Sequence, residues 1–451
     1  MNRKRRVVIC GAGIAGVSAA YFLSKSGAED ILLLDERPPL TLTSDRSTEC
    51  YRNWWPDSEM LALTDRSIDL MQALADASAN VFRMNRRGYL YLTADQVAVA
   101  AMQAQASGIS ESGAGPLRLH TSPASKYSPS GPEGYQNEPG GADLLLGREV
   151  VQRYFPYAND STVAALHVRR AGWLSAQQLG MHLLERGRAQ GVGFRSGRVA
   201  GVEISGGSVS GVALESAERI ECEVFVNAAG PYFKTVGGLL GLDLPVQAEI
   251  HLKVAFEDHL RIVPREAPLL IWTDAQALPW RDDERAQFEA DGAYSWLNGR
   301  FPAGAHTRPE GAGDSTTILM LWDYRTQVID PVFPIPLDDQ YPEIALRGLA
   351  TMLPGLSAYF GRAPRPRLDG GYYIRTRENR PLIGGTPVEG AYLIGALSGF
   401  GIMSACAAGE LLAADVTGGQ VPGYAAAFSL ARYDDADYVG QLDRSEATGE
   451  L

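Results

Sequence analysis

Lysine is nearly missing from this chain. Of the 41 basic residues among 451, five are lysine: Lys4, Lys25, Lys126, Lys234 and Lys253. Chemistry that needs a lysine amine therefore has few places to occur. Cysteine is equally sparse, at four residues. That is too few for a disulfide framework in so long a chain, and it points to a reducing, cytoplasmic setting. A positive balance is absent too: 53 acidic residues against 41 basic ones leave a formal charge of -12. Nucleic acid and anionic lipid are poor partners for such a chain. No run approaches the roughly 20 uninterrupted apolar residues of a membrane-spanning helix. The basic start, Arg3-Lys4-Arg5-Arg6, runs into too short an apolar stretch to be an export signal, so it reads as the solvated lead-in to a strand. No metal site is expected. What is present, 45% hydrophobic and 21% charged residues, excludes disorder over the whole length and supplies ample core.

Arg6-Val7-Val8-Ile9-Cys10 is a β-branched run suited to a buried parallel strand. Gly11-Ala12-Gly13-Ile14-Ala15-Gly16 follows it, a full G-x-G-x-x-G. Apolar Ile14, Val17 and Tyr21 then recur at helical spacing, and Gly27 is a natural stop. Ile31-Leu32-Leu33-Leu34 reads as a second buried strand ending at Asp35. Each part has a physical task. Gly11 permits a tight turn, Gly13 lets the backbone approach a pyrophosphate, and Gly16 lets helix and strand pack closely. The helix N-terminus, with Ile14 and Ala15, offers free N–H groups and a positive dipole end to phosphate. Asp35, nineteen positions after Gly16, is placed to accept from a ribose hydroxyl, with Glu36 and Arg37 beside it. Strand, glycine turn, helix, strand and acid in this order point to a dinucleotide.

Three distant segments narrow the choice. The first is Thr43-Ser44-Asp45-Arg46-Ser47-Thr48-Glu49-Cys50-Tyr51-Arg52-Asn53-Trp54-Trp55. The second is Val224-Phe225-Val226-Asn227-Ala228-Ala229-Gly230-Pro231-Tyr232. The third begins at Gly371-Tyr372-Tyr373-Ile374-Arg375, passes Pro381-Leu382-Ile383-Gly384 and ends in Ser398-Gly399-Phe400-Gly401-Ile402-Met403. Together they resemble the D-amino-acid-oxidase-like FAD oxidoreductases, a family that includes glycine and sarcosine oxidases, dimethylglycine dehydrogenase and D-arginine dehydrogenase. The resemblance covers nearly the whole chain.

The resemblance implies an α/β fold: a Rossmann-like FAD-binding domain with a second, mostly antiparallel substrate domain. The FAD part would be discontinuous, from residues 1–60, 148–245 and 370–451. Residues 61–102 and 246–369 would build the substrate part. By the same likeness, Ser44, Arg46, Ser47 and Thr48 would wrap the ribityl and pyrophosphate, with Ala229 and Gly230 near the latter. Backbone around Val199 would meet the adenine. Gly399, Phe400, Gly401, Ile402 and Met403 would line the flavin ring, the helix after them directing its positive end at the reduced ring's charge. Residues 103–147, rich in Ser, Gly and Pro, read as an insertion: a mobile surface excursion, or else a lid or docking loop.

The family's reaction moves a hydride from an amine α-carbon to flavin N5, giving an imine. Three departures bear on it. Where amino-acid-oxidising relatives carry a carboxylate-gripping arginine, this chain has Tyr373. Arg375, two residues on, could serve instead or could be a salt-bridge partner at the sheet edge. The positions of covalent attachment are occupied by Gly371 and approached by Cys50, with no histidine nearby, so FAD is expected to be non-covalent. The position of an oxygen-activating lysine falls at Leu319 or Met320, so the acceptor stays open between oxygen and an electron carrier, and the enzyme between an oxidase and a dehydrogenase. The candidate catalytic and substrate-binding residues are Arg52, Cys50, His251, Tyr373 and Arg375. Aromatic candidates around them are Trp54, Trp55, Tyr89, Tyr91, Trp322 and Tyr324. Arg52 stands out because it follows the hydroxyl-rich segment and neighbours two tryptophans. Two other functions fit the same frame: oxidation of a hydroxy compound, and a flavin-bound assembly protein without turnover.

Overall fold

The computed structural model of the chain describes residues 5–131 and 133–444. Two sheets organise it. The first has six strands in the order Leu382–Gly385, Ala391–Gly395, Val224–Asn227, Val7–Cys10, Ile31–Asp35 and Gly193–Ser196. All neighbours pair in parallel except the first two. The β-branched run at its centre is buried on both faces. Val7 and Ile9 pack on the helical side, while Val8 and Cys10 pack beneath a three-stranded ribbon containing Val199 and Val212. Strand alternation thus explains why four consecutive apolar residues are needed there.

The helical side is built from Ile14–Lys25, Ser58–Ala77, Ala176–Arg188 and Gly401–Thr417. Ser175 caps the third of these, its Oγ accepting from the Gln178 N–H at 3.3 Å. Gly409 lets the last helix sit directly on the first. A Cβ there would stand 2.5 Å from Ser18 Oγ, and Ser18 donates to the Ala405 carbonyl at 2.7 Å. The stretch Ser398–Thr417 is long and apolar enough to cross a membrane, but 67% of it is buried inside the fold. Its apolarity is accounted for by packing against the neighbouring helices.

The second sheet has ten strands and is mostly antiparallel. Its longest pair is Gln247–Glu257 with Arg367–Arg375, nine residues in register from Gln247↔Arg375 to Ala255↔Arg367. Thr317–Leu321, His306–Pro309, Leu269–Trp272 and Tyr89–Thr93 continue it to one side. The alternation of tyrosine and leucine at residues 89–92 predicts a strand, and all five residues of Tyr89–Thr93 are buried in one.

The segment grouping differs from the sequence reading in two places. Ser58–Ala77 joins the core of the parallel sheet, because Met60, Leu63, Ile68 and Met71 face the Gly401–Thr417 helix side. Ala142–Leu146 and Ala164–Val168 join the large sheet as paired strands. The insertion is also more ordered than its composition suggests. Ala98–Ile109 is helical, and Leu117–His120 pairs in parallel with Ala142–Leu146. Between them, Tyr127 reaches His167 Nδ1 at 2.8 Å, Tyr135 donates to Asp76 at 2.5 Å, and Arg86 donates to the Pro139 carbonyl at 2.9 Å. A few buried aromatic anchors hold a segment whose average composition is polar.

Candidate functional site

A long cleft opens where the Val7–Cys10 strand ends. Gly11 sits at φ +109°, and a Cβ on it would stand 2.3 Å from the Ala228 carbonyl oxygen. Only glycine allows the turn to lie against the neighbouring strand end. Asp35 closes this corner. Its carboxylate accepts from the Ala12 N–H at 2.8 Å and the Arg37 N–H at 2.9 Å. Gly13 precedes the helix, whose Ile14 N–H donates to Ser44 Oγ at 3.0 Å. Gly16 lies behind the turn rather than in the cleft, where a Cβ would stand 1.9 Å from the Gly11 carbonyl.

The hydroxyl-rich segment forms the next wall, held from below by groups that sequence reasoning did not single out. Arg308, wholly buried, donates to the Thr48 carbonyl at 2.8 Å and pairs with Glu310 at 2.6 Å and Glu49 at 3.4 Å. Its guanidinium also lies 5.1 Å from the Trp173 ring centroid. Lys253 donates to the Ser47 carbonyl at 3.0 Å and lines the cleft. Burial lowers the Lys253 ammonium pKa from its usual value, against the pull of Asp369 and Glu49. Arg46 pairs with Asp369. The signal for Arg308 and Lys253 was weak, since each lies on a strand in an ordinary alternating pattern.

Ala228, Ala229, Gly230, Ser398, Gly399, Gly401 and Ile402 complete the cleft. Leu321, at the end of the Thr317–Leu321 strand, faces it as well. The Val199 side chain packs into the core of the ribbon. Glu36 and Arg37 stand beside Asp35 outside the lining, Arg37 lying 4.9 Å over the Phe333 ring.

A second cavity of about 640 Å³ adjoins the first, sharing Thr48, Tyr373 and Gly399 with it. It gathers Cys50, Arg52, Trp55, Tyr89, Phe400 and Met403 from the sequence candidates, and adds His306, Asp323 and Asn379. Phe400 and Met403 therefore face this cavity and not the cleft. Gly399 is required at the junction: a Cβ would stand 2.6 Å from the Tyr373 ring. Tyr373 in turn stacks on His251, with ring centroids 3.7 Å apart at 18°.

Arg52 is 6% exposed, with its guanidinium 4.5 Å over the Trp55 ring and 5.7 Å from that of Tyr89. Its buried Nε lacks a hydrogen-bond partner. Cys50 donates to the Thr48 carbonyl at 3.1 Å, and burial raises its thiol pKa. His251 Nδ1 lies 2.8 Å from Asp323 and its Nε2 lies 3.6 Å from Glu249. Burial would raise both carboxyls, but His251 overrides it at each, with Arg375 adding to the effect at Glu249, and holds both below the usual range. Arg375 lies outside both cavities, bound to Glu249 at 3.1 Å. It takes the salt-bridge role of the two open to it. Trp54 and Tyr91 are core residues beside the pocket, while Trp322 and Tyr324 belong to an aromatic core behind the large sheet.

A family model described as DAO, FAD dependent oxidoreductase, matches residues 6–415. The chain belongs to this family. Solved structures of similar fold include L-proline dehydrogenase from P. horikoshii, 18% identical over 99% of this chain and 100% of the other, with a TM-score of 0.73. Iminodiacetate oxidase from Chelativorans sp. BNC1 is 18% identical over 94% and 98%, with a TM-score of 0.69. Glycine oxidase from Bacillus cereus ATCC 14579 is 15% identical over 92% and 96%, with a TM-score of 0.68. At these identities the likeness is one of fold. The DAO family's cofactor, FAD, suits the cleft on this chain's own geometry. Gly11 and Gly13 leave an open turn beneath a helix N-terminus, Asp35 fixes the far corner, and the glycine loop at 399–401 borders the end shared with the second cavity.

Proposed function

We propose that this FAD-dependent oxidoreductase oxidises the C–N bond of a small amino acid, and that Arg52 holds the substrate carboxylate. The observation that carries the reading is Arg52 itself. It is a buried guanidinium caged by Trp55 and Tyr89, on the wall of the cavity that adjoins the flavin cleft, with an unpartnered Nε. A buried cation without a carboxylate is costly, and a bidentate carboxylate ligand relieves that cost. Bound in the cleft, FAD supplies the acceptor for the hydride that leaves the amine-bearing carbon. The chain's own residues bind, orient and exclude water. Gly11, Gly13, Ser44 and Asp35 would hold the dinucleotide end, and Gly399, Gly401 and Ile402 would border the ring. Trp55, Tyr89 and Phe400 keep the second cavity apolar around its charged groups.

Non-covalent FAD is part of this reading. Cys50 is turned to the Thr48 carbonyl, and Gly371 has no side chain to offer. So is a carrier other than oxygen as electron acceptor, since the Thr317–Leu321 strand presents Leu321 to the cleft. A cytoplasmic setting is also proposed, supported by four buried free cysteines. The experiment is anaerobic mixing of the yellow protein with a panel of amines, amino acids and hydroxy acids. Bleaching of flavin absorbance by amino acids supports the reading, and bleaching by hydroxy acids alone replaces it with alcohol oxidation.

A further inference from the structure

His306 was no candidate from sequence, yet it stands on the wall of the substrate cavity with one nitrogen already committed. It lies on the His306–Pro309 strand, paired with Ile271 on one side and Leu321 on the other. Its Nδ1 lies 2.7 Å from the Gly304 carbonyl, two residues earlier in its own chain. A carbonyl can only accept, so that contact requires the proton on Nδ1. The lone pair of the neutral ring is thereby assigned to Nε2, which makes no hydrogen bond among the described residues. Asp323 and Arg52 line the same cavity.

We infer that His306 is the proton acceptor for the substrate ammonium in this pocket. The inference rests on the amino-acid reading given above. Oxidation of an amine by hydride loss needs the nitrogen lone pair, and an ammonium has none. One N–H bond of the ammonium breaks and its proton moves to His306 Nε2. The freed nitrogen lone pair would form the C=N bond as the Cα–H pair leaves as hydride, for which FAD bound in the cleft would be the acceptor. The iminium product then takes up water. Asp323, which lines the same cavity and acts on His306 through its charge, would stabilise the imidazolium that forms. The charged groups acting on His306 are Asp323, Arg52 and His251. Burial, with Arg52 and His251, lowers the His306 pKa, and the Gly304 contact together with Asp323 partly restores it. The Gly304 contact on Nδ1 leaves Nε2 as the accepting nitrogen.

The test uses the FAD-loaded protein and whichever panel amine reduces it fastest. His306→Asn keeps a donor near Nδ1 and removes the base. Flavin reduction should slow by about 10²–10⁴-fold at pH 7, the range of a general base, with flavin content unchanged. The unaltered protein should lose rate about tenfold per pH unit below the His306 pKa, and H306N should lack that acid limb. Binding gives an independent readout. The analogue of the same amine with every α-hydrogen replaced by methyl has no Cα–H and cannot react. Its Kd by calorimetry should rise below the same pKa in the unaltered protein and stay flat in H306N. If H306N loses flavin, His306→Gln takes its place in both measurements. A variant that reduces within about threefold of the unaltered rate, or keeps the acid limb, overturns the assignment. No reduction of the unaltered protein by any amine overturns the amine reading, and this one with it.

Discussion

Tyr373 stacks on His251 with ring centroids 3.7 Å apart. The pair stands where the dinucleotide cleft meets the substrate cavity, and Tyr373 lines both. Gly399 is what leaves room for it. Gly399→Ala would bring a Cβ to 2.6 Å from the tyrosine ring, so the stack must shift. The expected result is a soluble protein with a changed bound-flavin spectrum and a raised KM. Absorbance spectra and steady-state kinetics of the variant check it; unchanged spectra and KM would show that the stack tolerates the methyl.

Arg52→Ala should leave flavin bound and raise KM for the preferred amino acid. Removing one partner of a buried charge-assisted pair costs on the order of 2–5 kcal/mol, or roughly 30-fold and upward in KM. Arg52→Lys should recover part of this, since lysine supplies charge without the planar fork. Flavin-to-protein ratio and KM, measured together, separate this from a folding defect.

Lys253→Met should weaken FAD retention by about tenfold, because the Ser47 carbonyl loses a charged donor worth roughly 1.5–3 kcal/mol at most. Reoxidation of the reduced protein by oxygen should be slow against an artificial acceptor in both forms. A sharp loss of oxygen reactivity in the variant alone would assign Lys253 the oxygen-activating task instead.

Stability should fall with acid below pH 6.5, in part through His167. Burial, and then Arg169, holds this imidazole's pKa down at about 3. A depressed folded-state pKa means the unfolded chain binds the proton first. Its contribution is therefore complete above about 6.5 and is lost progressively as pH falls toward 3. Burial would raise the Asp143 and Glu378 carboxyls, but their arginine partners hold both below the usual range. Those two groups therefore add to the loss only at lower pH. His167→Gln should flatten the fall in Tm between about pH 6.5 and 4. Parallel Tm curves for the two proteins would show that His167 does not titrate on unfolding.

Much of this was legible in the sequence. The glycine turn, the acid at position 35 and the apolar runs around them are local patterns with one physical solution, and the parallel sheet follows from them. Arg52 was legible because it directly follows the hydroxyl-rich segment. Other parts were not. Arg308, His306 and Asp323 lie about 250 residues or more beyond that segment and reach it only through pairing in the large sheet. No local spacing marks them. The insertion misled by averaging, since Tyr127 and Tyr135 anchor a stretch otherwise made of Ser, Gly and Pro.

The most direct measurement is anaerobic flavin reduction in the purified protein, followed by absorbance across amines, amino acids and hydroxy acids. The expected result is a yellow protein bleached by at least one small amino acid, with the flavin released intact on denaturation. A protein that binds no FAD, or one whose flavin no amine or amino acid reduces, would contradict it.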